Sequence, residues 1–201
     1  MTTTIRAAAS VRAAVWMGVV SAVMAGCAAG PDACSGADPR KGSAFAVEAC
    51  TQVWQASKPG TNDESRTLYN LGLAQKRNFD IAEAEATYLR ALELEERLSG
   101  PYSLKSGRRL AELMGLWYLQ GKEAGAEANL LRLMAIAPLL KGSEAKYVAS
   151  IFLGYADVYR KKGNEAFARN LEDHARNLGF TLADFPDHPK LWAAWPPPPE
   201  E

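Results

Sequence analysis

The chain has 201 residues, 48% of them hydrophobic and 23% charged, which is the balance of a soluble globular protein with one real core and not of a disordered chain. Lys+Arg and Asp+Glu both number 23, so no net field draws the protein onto nucleic acid or an anionic membrane, and a nucleic-acid partner loses its cheapest support. Three cysteines are an odd number, which asks for an explanation if the protein is exported.

The first 27 residues supply one. Arg6 and Arg12 make a positive start, Ala13–Ala25 is an apolar run too short to span a bilayer comfortably, and Met24-Ala25-Gly26-Cys27 closes it with small residues. This stretch resembles the bacterial lipoprotein signal, with a plain cleaved secretory peptide or an uncleaved anchor as alternatives. The resemblance implies that residues 1–26 are removed and that Cys27 carries lipid, each acyl chain adding roughly 0.8 kcal/mol per buried methylene. Ala28 and Ala29 stand where an Asp often retains such proteins at the inner membrane, which implies an outer-membrane protein facing the periplasm. Without the lipid it would be periplasmic or secreted. Removing residues 1–26 leaves 21 basic against 23 acidic residues.

Residues 27–42 carry Gly30, Pro31, Gly36, Pro39 and Gly42, the composition of a tether. Ser43–Ser57 then turns periodic, with Phe45, Val47, Ala49, Cys50, Val53 and Trp54 on or near one helical face, and Lys58-Pro59-Gly60 ends that helix. It is expected to pack over the end of the helical hairpin that begins at Ser65.

Ser65–Leu98 reads as two interlocking antiparallel helices, with Leu68, Leu71, Gly72 and Ala74 facing Ala84, Tyr88, Ala91 and Leu92. Gly72 and Ala84 let the backbones approach, and Tyr88 fills the wider gap. Thr61 with Glu64 predicts a capping box, and Asp80 with Glu83 a second cap. The first helix is expected to end near Asn78, and the second near Leu98, before Gly100-Pro101. The pattern returns from Gly107 and from Ala149, a step of 42 residues each time, aligned on the turns Gln120-Gly121-Lys122 and Lys162-Gly163-Asn164. The second unit has Leu110, Leu113, Met114, Trp117, Ala126, Leu130 and Pro138 at the matching positions. The third has Phe152, Tyr155, Ala156, Tyr159, Ala168 and Ala175, with Glu172 where an aromatic is expected, so its last helix should show one face to water.

These residues resemble the tetratricopeptide repeat (TPR), whose signature runs W-x2-L-G-x2-Y, then A-x3-F, then Pro. Leu71-Gly72 and Ala84-x3-Tyr88 match, Leu68 stands for the Trp, and Gln75 and Glu96 depart. The 42-residue step is similar to the long variant of kinesin light chains and many bacterial proteins. The resemblance covers Ser65–Gly179 and implies an all-α, TPR-like solenoid over residues 43–180: a leading helix and three helical hairpins, followed by an irregular Pro/Trp-rich tail over 181–201. The opening Ala46–Thr51 is similar to exported TPR proteins in which an upstream Cys pairs with one on the first helix. With Cys27 lipidated, Cys34 and Cys50 remain for such a disulfide, closing a loop of about 16 residues worth roughly 3 kcal/mol; two free buried thiols are the alternative.

No phosphate loop, nucleophile elbow or zinc-protease motif is present. His174 and His188 stand apart from any ligand partners, with His174 expected on a solvated charged face. A metal, a cofactor and catalysis are therefore not expected. By the TPR resemblance the working surface is the groove of the first helices. From the first repeat it implies Arg66, Tyr69, Asn70, Leu73, Lys76 and Arg77, and from the second Arg108, Glu112 and Tyr118. The third adds Asp157, Arg160 and Lys161. Two tyrosines among several basic residues would suit an extended peptide or a helix with acidic side chains. The expected function is a non-catalytic interaction scaffold or assembly factor that binds another protein of the cell envelope. The alternative is an envelope carrier or regulatory protein docking through the tail around Trp192 and Trp195.

Overall fold

The computed structural model describes Cys34 and residues 43–186. The expected signal over residues 1–26, Cys27, the rest of the expected tether and the residues from 187 on lie outside the described residues. Every regular element among those described is helical: α1 Ser43–Ala56, α2 Asn62–Arg77, α3 Ile81–Ser99, α4 Leu104–Leu119, α5 Ala126–Ile136, α6 Gly142–Lys161 and α7 Glu165–Asn177. Short 3-10 turns cover Ala137–Leu139 and Leu182–Asp184. None of these helices is long and apolar enough to cross a membrane.

The helix starts have local causes. Thr61 Oγ1 accepts the Glu64 N–H at 3.3 Å, and Ser103 Oγ accepts the Ser106 N–H at 3.1 Å, opening α2 and α4. The expected capping box at Thr61 is only half formed. Glu64 is buried, and its carboxylate accepts the Gly60 N–H at 2.7 Å and meets Arg90 at 3.3 Å instead of reaching back to Thr61. Nor does Asp80 cap α3 with its side chain, because Asn78 Nδ2 donates to its carboxylate at 2.8 Å and holds it.

The helices ending in Arg77, Leu119 and Lys161 are each followed by a cap of near-identical backbone, at Asn78, Gln120 and Lys162. The next residue is left-handed each time: Phe79 at φ 65°, Gly121 at 63° and Gly163 at 79°. Two of the three are glycine, as that conformation favours, and Phe79 is the exception. The second hairpin departs from the spacing, since α5 begins only at Ala126, after a left-handed Gly125.

Packing follows chain order: α1 lies on α2, α2 on α3, α3 on α4, α4 on both α5 and α6, and α6 on α7. Close approach needs glycine at three points. A Cβ on Gly72 would stand 2.6 Å from the ring of the fully buried Tyr88, one on Gly107 would overlap Ile136, and one on Gly154 would stand 3.0 Å from the Tyr118 ring. Tyr155, buried in the same layer, donates its hydroxyl to the Met114 carbonyl at 3.2 Å. A disulfide joins Cys34 to Cys50, with Cα atoms 4.7 Å apart, and packs with Val53, Leu71 and Ala74.

The C-terminal segment folds back onto the body. Phe180 and the buried Phe185 lie 6.2 Å apart, and Lys146 of α6 sits 5.6 Å from the Phe185 ring. The last helix does show one face to water, along Glu165, Arg169, Asp173 and Arg176, while Glu172 beside it is half-buried and paired with Arg160 at 2.6 Å.

Candidate functional site

Two clefts meet on the side of the molecule formed by α2, α4 and α6, and both are lined by Tyr69 and Arg108. The larger, about 450 Å³, adds Asn62, Asp63, Arg66, Asn70, Lys105 and Arg109. The smaller, about 210 Å³, adds Ala111, Glu112, Leu140, Ser143, Glu144, Tyr147 and Val148.

Its electrostatics are those of a surface that has already matched most of its charges. Arg108 pairs with Glu144 at 2.5 Å and Lys76 with Glu112 at 2.5 Å, both across helices. Tyr147 donates to the same Glu112 carboxylate at 3.4 Å. Arg66 meets only Asp63 on its own helix, at 2.9 Å with both side chains half-exposed or more, and Lys105 reaches Asn62 at 3.2 Å. Exposed pairs of this kind are weak, about 0.2–1 kcal/mol, so Arg66 and Lys105 can exchange their partners for a ligand's carboxylate.

The floor of the larger cleft is built differently. Glu95 of α3 and Arg109 of α4 form an ion pair at 3.0 Å with side chains 0% and 6% exposed. Ser65 and Ser99 donate to the Glu95 carboxylate at 2.5 and 2.6 Å, and Arg109 donates to the Lys105 carbonyl at 2.9 Å. Burial pushes the Glu95 carboxyl up, but the two serine hydroxyls and the Arg109 charge outweigh it and hold it below the ordinary carboxylate range. The Arg109 guanidinium lies 5.3 Å from the Tyr69 ring and supports it as a cation under an aromatic face.

Burial, followed by the nearby Glu112 charge, pushes the Tyr69 phenol up to about 12. The same causes, in the same order, raise Tyr147. Both rings are therefore neutral near pH 7 and present hydroxyls that can donate as well as accept, while their faces offer apolar area.

The structure brings together Arg66, Tyr69, Asn70, Arg108 and Glu112, with Lys76 bound to the last. Leu73 is half-buried against the core, and Arg77 is exposed at the end of α2. Tyr118 packs edge-on against Tyr155 with centroids 5.4 Å apart, serving the α4–α6 contact. Asp157 and Lys161 pair with each other at 2.7 Å, and Arg160 ties α6 to α7 through Glu165 and Glu172. These third-unit residues line neither cleft, because α6 meets α4 there through its first turns, at Ser143, Glu144 and Tyr147.

Glu95, Arg109, Glu144 and Tyr147 are absent from the expected set. A signal for Arg109 did exist: at the 42-residue step it shares a column with Thr67 and Ile151, and all three are buried. His174 is half-buried with its ring 6.1 Å from Phe152, not on the solvated face expected of it. Among the described residues no group of three His, Cys, Asp or Glu side chains is placed to hold a metal ion.

No protein-family model matches the chain, and no curated protein matches it.

Proposed function

We propose that the chain is a TPR-like solenoid of the long 42-residue type, acting without catalysis as an interaction scaffold or assembly factor of the bacterial cell envelope. Cys27 anchors it by lipid to the outer membrane, facing the periplasm, and the groove at Tyr69 and Arg108 takes an extended peptide or a helix of an envelope protein.

The single observation that supports this most is the joining of two clefts at Tyr69 and Arg108, along the first helices of three successive hairpins. Recurrence of the same turn geometry after Arg77, Leu119 and Lys161 supports the repeat. The weakly engaged Arg66 and Lys105 at one end of the groove suit acidic side chains of the ligand. Tyr69 and Tyr147 offer ring faces for its apolar ones.

Affinity capture of the membrane-extracted full-length protein, beside a Tyr69→Ala/Arg108→Glu variant of equal melting temperature, tests the groove. An envelope protein captured by the first and lost from the second supports it. Radiolabelled palmitate incorporation that disappears in Cys27→Ser tests the anchor.

A further inference from the structure

The charges on α4 run against the electrostatics of their own helix. A helix N-terminus is the positive end and is ordinarily matched by an acid in the first turn, as it is in α2, α3, α5, α6 and α7. The first turn of α4 holds no acid and carries Lys105, with Arg108 and Arg109 in the turn that follows. Arg66 of α2 joins them, so four cations line the larger cleft against the one carboxylate of Asp63. Glu95 beneath the cleft accounts for Arg109 and for none of the other three. Breaches of this kind, which do nothing for the fold, collect at functional sites.

The partners of those three show which ligand they suit. Arg66 holds only the exposed Asp63 of its own helix, and Lys105 only the neutral carboxamide of Asn62. Arg108 stands 2.5 Å from the Glu144 carboxylate of α6, yet the contact is poorly aligned. Its buried Nε makes no hydrogen bond there, and no nitrogen of Arg108 donates one to any described residue. The two side chains are 40% and 37% exposed, so water screens the pair and it can open. Beside it, the Tyr69 hydroxyl and the Asn70 carboxamide also make no hydrogen bond among the described residues. A guanidinium with an ill-fitting carboxylate at hand, and donors around it still unspent, is matched by a carboxylate that arrives in line with its fork.

We propose that Glu144 is an internal competitor for the ligand. An acidic side chain of the bound polypeptide segment enters by the larger cleft, takes Arg108 with Arg66 and Asn70 beside it, and displaces Glu144 into water. The empty groove thus keeps its charges paired, and a segment without an acid gains nothing by opening it. The proposal rests on the groove being a peptide site.

The test titrates glutarate, a carboxylate probe, into the 15N-labelled full-length protein in detergent and follows the arginine Nε–H signals by NMR. Arg108→Lys identifies the Arg108 signal by its loss. A saturable shift is expected at Arg108, with Arg97 and Arg169 on the outer faces of α3 and α7 unmoved. Glu144→Gln should bind glutarate roughly two- to fivefold more tightly, the range that loss of an exposed competing pair allows. Equal or weaker binding in Glu144→Gln, a shift at Arg108 no larger than at Arg97 and Arg169, or the same shift with sodium chloride at equal ionic strength would overturn the proposal. Because the titration needs no partner, its failure strikes the role of Glu144 alone, whereas capture retained by Tyr69→Ala/Arg108→Glu strikes the groove reading beneath it.

Discussion

Glu95 and Arg109 meet at 3.0 Å inside the molecule, one on the second helix of the first hairpin and the other on the first helix of the next. The pair lies under Tyr69 and therefore joins the stacking of the hairpins to the shape of the groove. Removing one partner leaves the other buried and uncompensated. Arg109→Met is expected to lower stability by about 3–5 kcal/mol in urea unfolding. Glu95→Leu with Arg109→Met should cost much less, the remainder, roughly 1–2 kcal/mol, coming from the Ser65 and Ser99 hydroxyls that lose their acceptor. Because the Glu95 carboxyl is held below its ordinary value in the folded protein, its contribution is complete above about pH 4.3 and is lost as the pH falls through the folded value. Melting temperature against pH should therefore drop on the acid side, and less steeply in the double variant.

Gly72→Ala sets two effects against each other. Alanine favours a helix interior by about 1 kcal/mol, but its Cβ would stand 2.6 Å from the Tyr88 ring, which is fully buried and has no room to retreat. Overpacking should prevail, with a net loss of about 1–2 kcal/mol in chemical denaturation. Adding Tyr88→Leu to Gly72→Ala should make the Gly72 change itself nearly harmless.

Reducing the Cys34–Cys50 bond should destabilise the protein by about 3 kcal/mol, the value expected for a loop of that length. Thermal melts with and without a reductant measure it. Cys34→Ala/Cys50→Ala should melt at the same temperature in both conditions.

At high pH the tyrosines dominate. Tyr69 ionises at about 12 in the folded protein, against about 10 when unfolded, so its stabilising effect is complete below pH 10 and lost as the pH rises through 12. An ultraviolet titration of Tyr69→Phe should lack a late component that wild type shows, and its stability should fall less between those two pH values.

Much of the fold could be read along the chain because its determinants are local. Thr61 and Ser103 mark helix starts by their own side chains, and a ring four residues after an alanine, facing a glycine on the preceding helix, leaves one sensible way to pack. The late start of α5 was not legible, since the turn after Gln120 has the same glycine as the one after Lys162 and differs only in how soon the helix resumes. Of the groove residues expected, Arg66, Tyr69 and Asn70 of α2 and Arg108 and Glu112 of α4 line the two clefts, and none of those on α6 does. Fixed-register positions assume that each hairpin is shifted alike, whereas α6 presents its first turns there. Charges were the hardest part. Lys76 and Glu112 look like independent solvated groups until the fold brings them to 2.5 Å, and Glu95 has no cation nearby in sequence that would account for its complete burial.

The most direct test of the groove is to measure binding of whichever protein co-purifies with the full-length chain, comparing wild type with Tyr69→Ala/Arg108→Glu at matched melting temperature. The groove account predicts at least a tenfold loss of affinity in the variant, with the Asp157→Ala/Lys161→Ala control unchanged. Equal affinity for wild type and the groove variant would contradict it.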